Sequence, residues 1–391
     1  MKWASRVRAT RMLGAAVVAT YLAGSGVAGH AQQPKQDAVV PASNAKDVKD
    51  ADREPRRITP EDRLARQRGA MQRALFSSDE TLPVTLIADF KAVNRDRNPE
   101  STKVFPATLV VPARNGGEDR IAVNIRTRGH SRRMSATCTF APLRIEFPNK
   151  TDGTVFEGHK SLKLGTHCRD VDSYEQYVYR EYLVYKIFNR VTARSFRARL
   201  TQATYIDSST NKSLTTRSGL FLEDDDDVAR RLGGETSELQ NLMFAHVDVE
   251  SMTLLALFEY MIGNTDMSLA KLHNIITVRA GTGVVYPVPY DFDYSGVVNA
   301  RYAIPAKALN LPTVRERLYR GPCLTQEDLT PFLTRLKGMR EGILSLYDSV
   351  PELDQGYRKD AKNYLDEFFK IIDKPGDAKR AFIDGCNRKT M

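Results

Sequence analysis

The chain has 391 residues, of which 41% are hydrophobic and 27% are charged. This composition is typical of a globular protein and excludes a collagen-like, coiled-coil or wholly disordered chain. The 58 basic and 48 acidic residues give a formal charge of +10, but four of the basic residues and no acidic ones lie in residues 1–31. Without that segment the balance is 54 against 48, or +6, so the composition does not call for a nucleic-acid partner.

Residues 1–31 have the pattern of a secretory signal peptide. A basic start precedes an apolar stretch from Met12 to Ala23, and Gly29-His30-Ala31 forms a small-x-small cleavage site. The apolar stretch is shorter than the roughly 20 residues of a membrane-spanning helix, although an uncleaved anchor is the alternative. We therefore predict a secreted or periplasmic protein with no membrane span in the mature chain. Residues 32–57 are polar and aperiodic, which predicts a disordered leader.

The chain contains four cysteines, Cys138, Cys168, Cys323 and Cys386. An even number in an exported protein indicates two disulfides, for which three pairings are possible. We favour Cys138–Cys168 and Cys323–Cys386, because each pair then lies within one half of the chain.

Helix and strand signals follow one another clearly along the chain. Thr59-Pro60-Glu61 predicts the start of a helix that runs to about Leu75. A second helix is predicted from about Ser173 to Asn189, with Ser173 and Gln176 as a capping box. The alternating apolar pattern of strands is found at seven places. These are residues 84–90, 105–111, 121–128, 143–147, 161–166, 197–206 and 215–223.

The second half of the chain is mostly helical. Asp248 begins a helix that is almost entirely apolar through Ile262, which predicts a buried helix, and Gly263 ends it. Residues 270–293 are predicted to form a loop and a β-hairpin, and helices follow at about 326–347 and 356–372.

The order of these elements predicts an α+β, two-lobed domain. An N-terminal helix and linker cover 58–79, a strand-rich N-lobe covers 80–223, a mostly helical C-lobe covers 224–386, and a tail covers 387–391.

The densest polar cluster follows the buried helix. It comprises Asp266, His273-Asn274 and Asp291-Phe292-Asp293. A hairpin turn at Thr282-Gly283 would place Asn274 opposite Asp291, with Cβ atoms roughly 5 Å apart. An amide and a carboxylate oxygen so placed suit a hard cation such as Mg²⁺. Asp291 and Asp293 also form a D-x-D metal motif of the kind found in nucleotide-sugar transferases. The alternative is that these residues serve turns and helix caps.

Upstream, Lys163 lies in a short strand and Glu181 lies among apolar residues of the long helix. A buried carboxylate needs a partner, and Lys163 is the candidate; a solvent-facing Glu181 is the alternative. Arg128 lies beside Gly129 in a group of arginines that could cradle phosphate or form a basic surface hairpin.

A protein kinase orders its parts in the same way: a strand Lys, a helix Glu, a hinge, a catalytic Asp, and then Asn and Asp on the metal. Four motifs resemble the CotH family of secreted atypical kinases, and the Gly-Asn-Thr-Asp string also resembles HipA-type kinases. The motifs are Arg128-Gly-His-Ser131, Gly219-Leu-Phe-Leu-Glu223, Gly263-Asn-Thr-Asp266 with His273-Asn274, and Pro289-Tyr-Asp-Phe-Asp293.

The resemblance implies a two-lobed atypical protein-kinase-like fold and a role for each polar residue. Asp266 would be catalytic, and Asn274 and Asp291, with Asp293, would bind Mg²⁺. The remaining candidates for binding ATP are Lys163, Glu181, Arg128 and Glu223. The predicted function is Mg-dependent phosphoryl transfer from ATP to a hydroxyl group of a protein or small molecule. The alternatives are a non-catalytic kinase-fold binding or surface-assembly protein and, third, a metal-dependent glycosyl transferase.

Overall fold

The structure is a computed structural model, and it describes residues 58–386. The predicted signal peptide, leader and C-terminal tail lie outside the described residues.

Helices and strands alternate along the described chain. The α-helices are α1 (Pro60–Met71), α2 (Phe90–Arg95), α3 (Asp172–Val191), α4 (Asp225–Arg231), α5 (Val249–Ile262), α6 (Gln326–Gly338), α7 (Arg340–Ser345), α8 (Gln355–Asp373) and α9 (Pro375–Lys379). The strands are β1 (Leu82–Ala88), β2 (Phe105–Pro112), β3 (Glu118–Thr127), β4 (Leu143–Glu146), β5 (Ser161–Gly165), β6 (Ala198–Asp207), β7 (Lys212–Leu222), β8 (Gly234–Thr236), β9 (Ile275–Ala280) and β10 (Val285–Pro289). All seven strands predicted before residue 224 are confirmed, with ends shifted by a few residues.

Strands β1 to β7 form a closed barrel in the order β1-β2-β3-β4-β5-β7-β6. Neighbouring strands are antiparallel except β1 and β6, which pair in parallel from Leu82–Thr201 to Ala88–Asp207 and close the barrel. Alternate residues of β1 are buried, as a strand with one face on a core requires. An apolar cluster that includes Leu86, Ile125 and Phe221 fills the interior.

The predicted two-lobed α+β kinase-like fold is wrong. The seven strands close into a mixed barrel, and the only other sheet among residues 58–386 is the three-stranded β10-β9-β8. The closing pair, β1 and β6, joins segments more than a hundred residues apart in the chain. The strand patterns therefore locate each strand without revealing the pairing that makes a barrel.

A second apolar core joins the barrel to the helical part. It includes residues of α3, α5 and α8 together with Leu200 and Leu222 on the barrel. As predicted, α5 is buried nearly all round, Asp248 caps its start through the Ser251 amide, and Gly263 ends it with φ 67°. The glycine is needed there because an added Cβ would lie 1.9 Å from the Tyr364 hydroxyl oxygen.

Helix α3 is where predicted, but its predicted capping box is wrong. Its N-cap residue is Val171, and no side chain caps it. Gln176 instead donates to the Glu352 carbonyl at 3.1 Å and accepts from the Asp354 amide at 2.7 Å. The side chain thus serves a contact between α3 and the segment before α8, which local sequence cannot reveal.

The predicted disulfides are confirmed. Cys138 is bonded to Cys168 and Cys323 to Cys386, across 30 and 63 residues of sequence. Two disulfides fit a secreted protein. Of the helices between residues 58 and 386, none is long and apolar enough to cross a membrane.

Candidate active site

Four of the predicted site residues line one small cavity between the barrel, α3 and the segment after β10. These residues are Arg128, Lys163, Glu181 and Asp291. The other lining residues are Arg132, Gly165, Tyr185, Leu220, Leu222 and Tyr290. Residues distant in sequence are thus brought together by the closing of β5 on β7 and by the packing of α3.

Lys163 is buried at the centre of β5 with its ammonium group at the cavity. Its Nζ lies 4.5 Å from the ring centre of Tyr290 and 4.9 Å from that of Phe196, and it forms an ion pair with Asp225. Burial lowers the pKa of Lys163, and the Asp225 charge opposes this. The prediction that Lys163 pairs with Glu181 is wrong, because Asp225 at the start of α4 takes that place.

Glu181 pairs instead with Arg132, at 3.6 Å between Oε2 and Nη1. The same Arg132 guanidinium lies 3.5 Å from Asp293 and donates to the Thr166 carbonyl at 2.8 Å. Burial raises the pKa of Glu181 to about 7; Arg132 opposes the shift and Asp291 adds to it. Burial thus favours the protonated form of the Glu181 carboxyl, against the charge of Arg132.

Arg128 differs from the arginines near it in sequence. Arg126 is paired with Glu146 at 2.9 Å, and Arg133 is buried and donates to Thr127 Oγ1. Arg132 is engaged as described above. Within residues 58–386 the Arg128 guanidinium has no hydrogen bond or ion pair, although its charge acts on Lys163 and Glu181. The predicted basic cluster thus leaves one arginine with unused donors at the cavity.

Asp266 lies in the loop after α5 and is bonded to Asn274, the strand neighbour of the cavity residue Tyr290. Its Oδ1 is 3.1 Å from His273 Nε2, and Asn274 Nδ2 donates to its Oδ2 at 3.0 Å and to its carbonyl at 2.8 Å. The hydrogen bond that His273 makes to the Asp266 carboxylate raises the pKa of His273, burial opposes this, and the charges of Asp266 and Asp291 add to it. Asp266 and Asp291 therefore act on the same imidazole.

The predicted hairpin register is wrong by one residue. The turn comprises Gly281 to Gly283: the Gly283 amide donates to the Ala280 carbonyl, and the Ala280 amide to the Val284 carbonyl. Gly283 is left-handed, with φ 88°, and is the extra residue of a three-residue turn. Asn274 is consequently opposite Tyr290, whose amide donates to the Asn274 carbonyl at 3.0 Å, and Asp291 lies one residue further on.

Asn274 and Asp291 are both left-handed, with φ 54° and 65°, and each lies just outside its strand. The Asp291 amide donates to the Tyr185 hydroxyl oxygen at 2.9 Å. The strained backbone at two adjacent polar positions is a feature found often at functional sites. The pairing from which the shared cation was predicted is wrong: Asn274 pairs with Tyr290, the residue before Asp291.

The oxygen atoms present suit Mg²⁺ only in part. Asn274 uses its amide nitrogen on Asp266, which leaves its side-chain oxygen to accept a cation, and Asp291 supplies a carboxylate. Asp293 is buried, and its carboxylate is already paired with Arg132 at 3.5 Å. In the described part of the chain, no three His, Cys, Asp or Glu residues are grouped to hold a metal. Of the predicted ligands, Asn274 and Asp291 each keep a side-chain oxygen of the kind that Mg²⁺ binds.

Glu223 follows the cavity residue Leu222 but does not line the cavity itself, and its carboxylate is fully engaged. It is buried and accepts hydrogen bonds from the Arg197 amide, at 3.0 Å, and from the guanidinium groups of Arg197, at 2.7 Å, and Arg231, at 3.0 Å. Its contacts are those of a structural ion pair between β6, β7 and α4.

A larger cleft adjoins the cavity and shares Tyr290 with it. The cleft has a volume of about 400 Å³, whereas the inner cavity has about 10 Å³. Its lining includes Arg144 and Thr277, and Asp225, which reaches the inner cavity through its ion pair with Lys163. Sequence reasoning does not single out Asp225 or Tyr185, because their contacts with Lys163 and Asp291 join segments 62 and 106 residues apart.

Comparison of the sequence with models of known protein families gave no match, and comparison with curated proteins gave none either. The candidate site is therefore defined by its own geometry. It is a charged cavity of a closed barrel, with the loop that carries Asp266 next to it.

Proposed function

We propose that the protein is an exported phosphotransferase that transfers the terminal phosphoryl group of ATP to a hydroxyl group of a protein or small molecule. The observation that carries the proposal is the meeting of Arg128, Lys163 and Asp291 at one cavity, beside Asp266 and Asn274. Phosphoryl transfer requires positive side chains, ligands for a metal ion and a carboxylate at the acceptor. Here these would be Arg128 and Lys163, then Asn274 and Asp291, and finally Asp266. The CotH-like motifs support this chemistry, but no longer through a kinase fold.

The cleft and the cavity suggest where a nucleotide would bind. A volume of about 400 Å³ lies in the usual range for a small-molecule site. The inner cavity, at about 10 Å³, has room for about one water molecule. The nucleoside would therefore occupy the cleft, and the phosphates would lie at the mouth of the cavity between Arg128 and Lys163.

Each residue would have a distinct task. Arg128 and Lys163 would balance the charge on the phosphoryl group, and the Arg128 guanidinium has no hydrogen bond or ion pair to another residue of the described part of the chain. Asp266 would orient the acceptor hydroxyl and take its proton. Asn274 and Asp291 would hold Mg²⁺, which neutralises charge on the transferring phosphoryl group.

The proposed location is outside the cytoplasm, either secreted or periplasmic. The signal-like pattern of residues 1–31 and the two disulfides support it.

The test is nucleotide binding followed by transfer. We expect ATP with Mg²⁺ to raise the melting temperature of the wild type and not of Asp291→Ala. The control is Asp152→Ala, which removes an exposed carboxylate that lines neither the cavity nor the cleft and should keep the shift. A wild type that neither shifts with ATP nor transfers phosphate to itself, to casein-like acceptors or to water would refute the proposal.

A non-catalytic binding or surface-assembly protein is the second candidate. It is favoured by the ion pair of Lys163 with Asp225, which occupies the ammonium group that a phosphate would need. This candidate predicts a thermal shift with a ligand but no phosphoryl transfer under any condition.

A further inference from the structure

Asp266 lies in a segment that neither a helix nor a strand holds. Residues 264–267 follow the end of α5 and have no regular secondary structure. The Asp266 amide donates to Asn264 Oδ1 at 3.0 Å, and Asn274 holds the Asp266 carbonyl and carboxylate. These partners belong to the same loop, whose start is joined to α5 by the hydrogen bond from the Asn264 amide to the Glu259 carbonyl at 2.8 Å.

Arg320 supplies a contact from outside the loop. Its Nη1 donates to the carbonyls of Thr265 and Met267, each at 2.7 Å. These are the carbonyls of the two residues that flank Asp266 in the chain. A hydrogen bond from a guanidinium group is charge-assisted and stronger than one between neutral groups. Burial lowers the pKa of Arg320, and the nearby charges of Glu259 and Asp266 oppose this.

The segment that carries Arg320 is itself firmly held. Tyr319 is buried, its ring centre is 5.3 Å from that of Phe382, and its hydroxyl donates to the Pro322 carbonyl at 3.0 Å. Three residues beyond Arg320, Cys323 is bonded to Cys386. The guanidinium therefore projects from an anchored segment of the helical core toward the Asp266 loop.

We propose that Arg320 is a positioning residue, which holds the carbonyls of Thr265 and Met267 and thereby fixes the Asp266 carboxylate between them. Its two hydrogen bonds go to backbone carbonyls, so its role is carried out through Asp266. The expected effect of Arg320 on kcat rests on the phosphotransferase function proposed above. The expected effect of Arg320 on the motion of the Asp266 loop does not depend on that function.

The test uses the full chain with Arg320→Ala and Arg320→Lys. The matched control is Arg317→Ala, because Arg317 lies in the same segment but donates to the Tyr364 carbonyl and to Glu367 instead. Amide hydrogen exchange is measured over residues 263–268, together with kcat and the Kd for ATP with Mg²⁺.

We expect Arg320→Ala to speed exchange in residues 263–268, and Arg317→Ala to leave that exchange unchanged. Displacement of the carboxylate should lower kcat by about 10²-fold with the Kd for the nucleotide unchanged. Arg320→Lys should recover part of the loss, since an ammonium group still donates but lacks the planar fork. Added guanidinium ion should partly restore turnover in Arg320→Ala and should not do so in Asp266→Ala.

Unchanged exchange over residues 263–268 in Arg320→Ala would overturn the inference. Equally fast exchange over residues 263–268 in Arg317→Ala would also overturn it, and so would a loss of nucleotide affinity as large as the loss of kcat. Either result would show that the substitution loosens the helical part of the protein in general. If the wild type transfers no phosphate, the proposed function fails, and the exchange result alone decides on Arg320: faster exchange confined to 263–268 supports it.

Discussion

At the scale of single residues, Asp266 is the group on which the proposed chemistry depends most. Its side chain is 35% exposed, and it is held by His273 and Asn274. We expect Asp266→Asn to lower phosphoryl transfer by roughly 10²–10⁴-fold, because the amide cannot accept a proton. Folding should change little, since a half-exposed carboxylate at a wet loop contributes little to stability. Activity and melting temperature should be measured on the same preparation.

Asp266→Ala separates this role from a structural one. If Asp266 served only to hold the loop, Asn would replace it adequately, and Ala would cost roughly 0.5–2 kcal/mol as the loss of a cap does. Full activity in Asp266→Asn with a lower melting temperature in Asp266→Ala would contradict the catalytic role.

The candidate residues were predictable from the sequence, but their partners were not. Lys163, Glu181, Asp266 and Asp291 stand out as polar residues in apolar or turn contexts, and the structure places three of them on one cavity. Lys163 nevertheless pairs with Asp225, and Glu181 with Arg132. Ion pairs depend on where side chains point in three dimensions. An acidic residue within an apolar sequence pattern therefore indicates that it needs a partner, but not which residue that partner is.

At the scale of elements, the apolar helix α5 carries a buried carboxyl, Glu259. Burial raises its pKa from 4.5 to about 8, while the Asn264 amide and the Arg320 charge oppose the shift. The folded protein thus keeps a proton that the unfolded chain releases. The stability this gives is fully present below about pH 4.5 and is lost as the pH rises to about 8.

Glu259→Gln should remove this pH dependence, because the amide is neutral at every pH. Relative to the wild type, the variant should gain stability from about pH 5 to about pH 8, by at most about 1.4 kcal/mol per pH unit. Urea unfolding at both pH values measures it. Glu250→Gln, at the exposed start of the same helix, is the control. For Glu259→Gln, a difference from the wild type that is equal at both pH values would show that its carboxyl ionises alike in both states.

Periodicity predicted these elements well because it reports which face of a segment is buried. The seven strands and α3, α5 and α8 all follow from their apolar patterns. The hairpin β9–β10 shows the limit: one extra left-handed residue, Gly283, shifts its register and moves Asp291 past Asn274. A Thr-Gly pair fits a two- or a three-residue turn, so the sequence leaves the register open.

At the scale of the whole molecule, the barrel depends on a pairing that no local pattern encodes. The parallel contact of β1 with β6 closes it, and α3 forms the crossover from β5 to β6. The same packing brings Glu181 on α3 to Lys163 on β5, and so builds the cavity. The separate motifs could suggest a shared site, but only the closed barrel explains why they meet there.

The disulfides act at this same scale, because each fixes two distant segments. Cys138–Cys168 spans 30 residues beside the barrel, and Cys323–Cys386 spans 63 residues in the helical part. Unreduced protein should show no alkylated cysteine by mass spectrometry.

Replacing either pair by Ser should lower the free energy of unfolding, measured in urea, by roughly 2–5 kcal/mol. The longer loop should contribute about 0.7 kcal/mol more than the shorter one if chain entropy dominates. Two or more alkylated cysteines in unreduced protein would contradict the pairing, and equal stability of wild type and both double variants would show that the bridges do not hold the fold together.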